Sequence, residues 1–127
     1  MDVTAGEYGY DLAYFHRMCA AGAVDCLQVD VTRCGGITEL LRTAAVAASQ
    51  GFDVSGHCAP HLHVAALAAI PNLRHLEWFH DHVRIETMLF DGTLDHLGAP
   101  CARRTTVPAT GSRLARAEQR HFVSHEV

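Results

Sequence analysis

Four residues able to hold or move a proton, Glu7, Asp30, His57 and Glu77, stand 23, 27 and 20 positions apart along the chain. Asp30 closes the apolar stretch "LQVD", His57 ends "FDVSGH" and Glu77 follows "NLRHL". Glu7, in "VTAGEYGYD", precedes the first helix-like run, where an earlier strand would have ended. A carboxylate that accepts a hydrogen bond from one imidazole nitrogen fixes the tautomer and raises the basicity of the other, which makes a general base. Carboxylate oxygens also suit a hard divalent cation. Taken singly, each residue has a plainer role. Asp30 could cap a turn, His57 could be a hydrogen-bonded core histidine, Glu77 could pair with Arg74 or Arg84, and Glu7 could be an ordinary loop carboxylate. Their shared position at segment ends favours the chemical reading.

The elements that must position them alternate between two periods. Leu12, Phe15, Cys19 and Gly22 fall at helical spacing, with Asp11 as N-cap and Gly22 as the stop. "AVDCLQVDV" (23–31) suits a strand. "ITELLRTAAVAASQG" predicts a helix with Thr38 as cap, Leu40, Leu41, Ala44, Ala47 and Ala48 inward, and Gly51 as the end. Residues 52–58 read as a strand, 61–70 as an Ala-rich helix ended by Pro71, and 72–79 as a third strand. Short connections between strands and helices predict parallel neighbours in βα units. Catalytic side chains at the C-terminal ends of successive parallel strands are the arrangement of a (β/α) barrel. Three units make only an arc with unpaired edges, so the expected fold is α/β and a piece of something larger.

Composition removes several classes of function. The formal charge of −4 and the lack of a Lys/Arg stripe argue against nucleic acid. The basic-rich stretch at 102–120 is mixed with polar residues and proline and reads as a solvated tail. No apolar run has the length of a membrane span and no leader pattern is present. Five cysteines without a C-x-x-C pair fit reduced thiols in a cytoplasmic protein.

"VDVTRCGGIT", "VSGHCAPHLHVAALAAIPNLRHLEWF" and "IETMLFDG" resemble the C-terminal barrel segment of the enolase superfamily, in its mandelate racemase subgroup, over roughly residues 3–93. The resemblance implies an α/β fold that is the C-terminal part of a TIM-type barrel, incomplete, and Mg²⁺-dependent abstraction of a proton α to a carboxylate. His57 would be the base, Asp30 its orienting partner, Glu77 the electrophile and Glu7 one metal ligand. The products would be those of acid-sugar dehydration or of racemisation of a 2-hydroxy acid. His80 and His82 would line the mouth of the site, or else stand in a solvated loop; His61 and His63 are expected to be peripheral. The implied partner is a small acid-sugar carboxylate, and the full-length form is expected to be a homo-oligomer.

By the resemblance, the superfamily's other two magnesium carboxylates and its second acid/base group would come from strands before residue 1. The isolated chain is therefore expected to be inactive and poorly stable. Residues 1–97 form the barrel segment in this reading, and 98–127 an atypical tail in which a frame slip would account for "PCARRTTVPATGS". Two alternatives stay open. One is a non-catalytic remnant. The other is a zinc hydrolase, drawing on His57 and His61 four residues apart with Cys58 and His63 near, although Pro60 interrupts that interval and no Glu follows the first His.

Overall fold

A computed structural model describes residues 1–91 and 113–114. The first helix, α1 (Leu12–Ala20), starts where Asp11 leaves extended backbone and its Oδ1 accepts the Tyr14 N–H at 2.6 Å. Phe15 and Cys19, one turn apart, are the residues it buries. Strand β1 (Thr4–Ala5) precedes it, and β2 (Cys26–Val29), α2 (Ile37–Ser49), β3 (Asp53–Gly56), α3 (Pro60–Leu67), β4 (Leu73–Leu76) and α4 (His80–Leu89) follow. The four strands pair side by side in chain order, all parallel. A two-residue strand β5 (Phe90–Asp91) pairs antiparallel with β6 (Arg113–Leu114).

Side chains alternate across each strand, which gives the sheet two chemically different faces. Leu27, Val29 and Val54 belong to one core with Phe15, Leu40, Ala44 and Leu67 of the helices. Full burial of side chains such as Leu27, Leu40 and Phe15 contributes about 1.5–3 kcal/mol each. The opposite face carries Gln28, Ser55 and His75, which pair with one another in a single row across β2, β3 and β4. Asn72 anchors the start of β4, where its Nδ2 donates to Ala44 O at 3.1 Å and Phe52 O at 3.0 Å.

Several expectations change. The sheet has four strands rather than three, because Thr4–Ala5 pairs with Cys26–Leu27. Gly36, not Thr38, is the N-cap of α2, and it offers no side-chain bond. Leu41 and Ala48 are exposed while Thr43 is buried, because the inward stripe runs through Leu40, Thr43, Ala44 and Ala47 at helical spacing. The third helix begins at Pro60, a residue suited to a first turn, and ends at Leu67. The division at residue 97 and the tail reading fall outside the described residues, apart from Arg113–Leu114. Among the described residues no helix is long and apolar enough to cross a membrane.

Gly56 is where the sheet tolerates no side chain. A Cβ there would stand 2.5 Å from Leu67 Cδ1, 2.9 Å from Leu76 Cδ1 and 3.2 Å from His63 Cδ2. Because Leu67 and His63 are fully buried, they have little room to yield. Gly56→Ala should destabilise the chain by about 1–3 kcal/mol, read as a lowered urea midpoint. An unchanged midpoint would mean that Leu67 and Leu76 repack freely.

Candidate active site

Asp30, His57 and Glu77 each lie two residues beyond the Gln28–Ser55–His75 row, so period-2 alternation carries all three to that face at the strands' C-terminal ends. Hydrogen bonding continues past the strand ends and keeps the alignment: His57 N donates to Val29 O and Glu77 N to Gly56 O, both at 2.9 Å.

Asp30 is buried and its two oxygens are divided between partners. Oδ1 accepts from Thr32 N at 2.8 Å and Thr32 Oγ1 at 2.7 Å. Oδ2 faces His57 Nδ1 at 3.0 Å, with Arg33 Nε 3.6 Å away. Burial alone would raise the Asp30 pKa; the bonds from Thr32 and His57 outweigh it and hold the carboxyl below its ordinary value. The turn after Asp30 is closed by Arg33 N and Cys34 N, which donate to Asp30 O at 3.0 and 2.8 Å. Gly35 and Gly36 then adopt φ of 100° and 86°, which L side chains rarely adopt. That is why a double glycine follows the aspartate.

His57 Nε2 points toward a second cluster. Cys58 Sγ is 3.4 Å from it and Glu77 Oε2 is 3.8 Å away. Glu77 Oε2 accepts from the Cys58 N–H at 3.0 Å and from its Sγ at 3.3 Å. Burial first, then the hydrogen bond and negative charge of Glu77, push the Cys58 thiol up to about 12. Arg74, considered as a partner for Glu77, pairs instead with Asp2.

Glu7 stands outside this cluster. Its Oε2 accepts the Gly6 N–H at 3.1 Å, and its carbonyl accepts from Arg33 Nη1 at 3.3 Å. Arg33, stacked 4.8 Å over the Tyr8 ring, thereby ties the loop after β1 to the turn that holds Asp30. His80 and His82 lie in the first turn of α4, exposed, with the His82 ring 4.8 Å from Phe79. A helix, not a loop, presents them.

His63 is the residue whose importance sequence reasoning missed. It is fully buried rather than peripheral. Its Nε2 accepts from Val31 N at 2.8 Å while Nδ1 donates to Ala59 O at 3.0 Å. It braces the backbone beside Asp30 against the backbone beside His57. The available signal was its place, with Pro60, Ala66 and Leu67, on the buried stripe of α3. His61 Nε2 lies 2.9 Å from Glu86 Oε2, and its ring meets the edge of Trp78. The paired-helix zinc reading of His57 and His61 therefore fails, since His57 precedes the helix that Pro60 opens and His61 faces Glu86.

A strand-end Asp–His pair on a parallel sheet flanked by helices is an arrangement compatible with a (β/α) barrel. The family model described as enolase C-terminal domain-like matches residues 1–106, and the chain belongs to this family. A D-galactonate dehydratase of Verminephrobacter eiseniae is 35% identical over 78 residues, 61% of this chain and 20% of that protein. A mandelate racemase/muconate lactonizing enzyme-like protein from Rubrobacter xylanophilus is 49% identical with a TM-score of 0.70, over 75% of this chain and 26% of that one. An L-talarate dehydratase from Polaromonas sp., solved with Mg and L-glucarate, is 30% identical with a TM-score of 0.65, over 73% of this chain and 24% of that one. The chain thus spans between a fifth and about a quarter of the length of these relatives.

The buried His63 sets a pH dependence. Burial lowers its pKa, so on acidification the unfolded chain takes up a proton at about 6.5 while the folded chain resists. Stability should therefore fall as pH drops below about 6.5. His61, lowered by burial too, acts in the same direction. His63→Gln keeps a non-titrating acceptor for Val31 N–H and should flatten, without abolishing, the slope of stability between about pH 7 and 5. Urea titrations across that range measure it; an unchanged slope would place His63's titration elsewhere.

Proposed function

We propose that His57 is the general base of a proton abstraction α to a carboxylate, with an acid sugar as substrate and dehydration as the outcome. The observation that carries this reading is the 3.0 Å contact from His57 Nδ1 to the buried Asp30 Oδ2. With Nδ1–H donated to Asp30, Nε2 keeps its lone pair for the substrate proton, and Asp30 stabilises the imidazolium that forms. The proton on Nε2 is then returned to the departing β-hydroxyl as water, which leaves an enol that tautomerises to a 2-keto acid. Glu77 Oε2 accepts from Cys58, which leaves Oε1, among the described residues, to meet the substrate carboxylate, donating a hydrogen bond in its protonated form. His80 and His82, exposed beyond β4, are offered to the sugar hydroxyls.

Magnesium, present in the Polaromonas structure with L-glucarate, is proposed for the full-length enzyme. When bound, such an ion neutralises charge that develops on a substrate carboxylate. It prefers an octahedron of oxygens. The described residues do not build one: their one close donor group is His57, Cys58 and Glu77, a nitrogen, a sulfur and an oxygen. Glu7 would supply a single carboxylate, joined by others from the remainder of the family's barrel. The chain alone is accordingly expected to be inactive. Racemisation shares the His57 step and is favoured by the likeness to the Rubrobacter protein, but it needs a second base on the opposite face of the substrate.

The test replaces the corresponding segment of the Rubrobacter protein with residues 1–91 of this chain and follows α-proton exchange of acid sugars in D₂O by NMR. The chimera should exchange and eliminate water in the presence of Mg²⁺. His57→Asn in that chimera should cut exchange by about 10²–10⁴-fold. Exchange undiminished by His57→Asn would remove the base assignment.

A further inference from the structure

The cluster around His57 Nε2 contains a thiol that the proposed proton abstraction does not use. Cys58 Sγ, His57 Nε2 and Glu77 Oε2 stand 3.4, 3.3 and 3.8 Å apart for the S–N, S–O and N–O pairs. A tetrahedral zinc with thiolate, imidazole and carboxylate ligands at ordinary bond lengths has ligand–ligand edges of about 3.3–3.6 Å. Two of the three edges are already at that size, and the third is slightly long. We propose that these three side chains form a site for a thiolate-seeking divalent cation such as Zn²⁺.

Three further features suit that cation. Asp30 Oδ2 lies 3.0 Å from the other ring nitrogen, Nδ1, and so supplies the carboxylate behind a ligating histidine that fixes its tautomer. Cys58 and Glu77 are adjacent through the Cys58 N–H, which holds the Glu77 carboxylate in place at 3.0 Å. The Glu77 side chain is 37% exposed and the His57 side chain 18%, so the site opens to solvent and a water or a substrate oxygen can take the fourth position. Binding exchanges the Cys58 thiol proton, released to solvent, for a bond from sulfur to the metal. A nitrogen–sulfur–oxygen set of this kind selects against magnesium and for softer metals.

The consequence for catalysis rests on the base assignment above. A cation on His57 Nε2 occupies the lone pair that the substrate proton needs, so metal capture and proton abstraction exclude each other. The site itself does not depend on that assignment.

The test titrates the 127-residue chain with Co²⁺ as a spectroscopic probe and follows the thiolate-to-cobalt charge-transfer band in the near ultraviolet. One equivalent should develop the band, Zn²⁺ should displace it, Cys58→Ser should abolish it, and Asp30→Asn should weaken binding by about 10- to 100-fold. No band, or a band that persists in Cys58→Ser, would overturn the proposal. A second readout needs no variant: in the tryptic peptide 43–74 Cys58 is the one cysteine, so its alkylation by iodoacetamide can be followed by mass spectrometry. Saturating Zn²⁺ should suppress that alkylation, and alkylation at the metal-free rate would overturn the site. A failed exchange experiment in the chimera leaves this result untouched, and the absence of metal binding leaves the base assignment untouched.

Discussion

The hydrogen bond between Asp30 Oδ2 and His57 Nδ1 is the interaction on which the site depends. It joins residues 27 positions apart, and it exists because β2 and β3 pair in parallel with Gln28 opposite Ser55. Two residues further along each strand, on the same face, the carboxylate and the imidazole meet. Much of the surrounding structure holds that meeting in place. Thr32 saturates Oδ1, Arg33 approaches Oδ2, and His63 ties Val31 to Ala59 across the back of the pair. Gly56 lets α3 and β4 close against the strand that leads to His57.

The face on which His57 would meet a substrate in the proposed reaction also presents it to a thiol. The two proposed uses of Nε2 would compete at one point in space. The neighbouring carboxylates, which hold the Cys58 proton on sulfur, are equally the groups that would welcome a divalent cation. Which occupant prevailed would then depend on the relative supply of soft metal and acidic substrate.

Much of this was legible in the residues. Strand ends at Asp30, His57 and Glu77 followed from apolar runs that stop at polar residues, and Asp11 announced α1 as a cap. Glu77 is more instructive. A register shift between Val54 and Ser55 leaves an extra residue, Arg74, in β4. Without it Leu76 rather than Glu77 would reach the face that holds His57, since a slip of one residue inverts every side chain. Nothing in "NLRHLEWF" marks that irregularity; packing against β3 decides it. His63 escaped for a related reason, because a histidine on an apolar stripe acquires its partners, Val31 N–H and Ala59 O, only through tertiary contact. Leu41 and Ala48 misled because their apolar character does not say which neighbour covers them.

In the proposed reaction His57 holds its proton on Nδ1, against Asp30, and keeps Nε2 bare. Two-bond ¹H–¹⁵N correlation spectra of the imidazole rings measure this directly in the chain as it stands, in the neutral ring. His57 is expected to show a single Nδ1–H tautomer that gives way to a mixture in Asp30→Asn. An Nε2–H tautomer, or a tautomer ratio indifferent to Asp30, would contradict it.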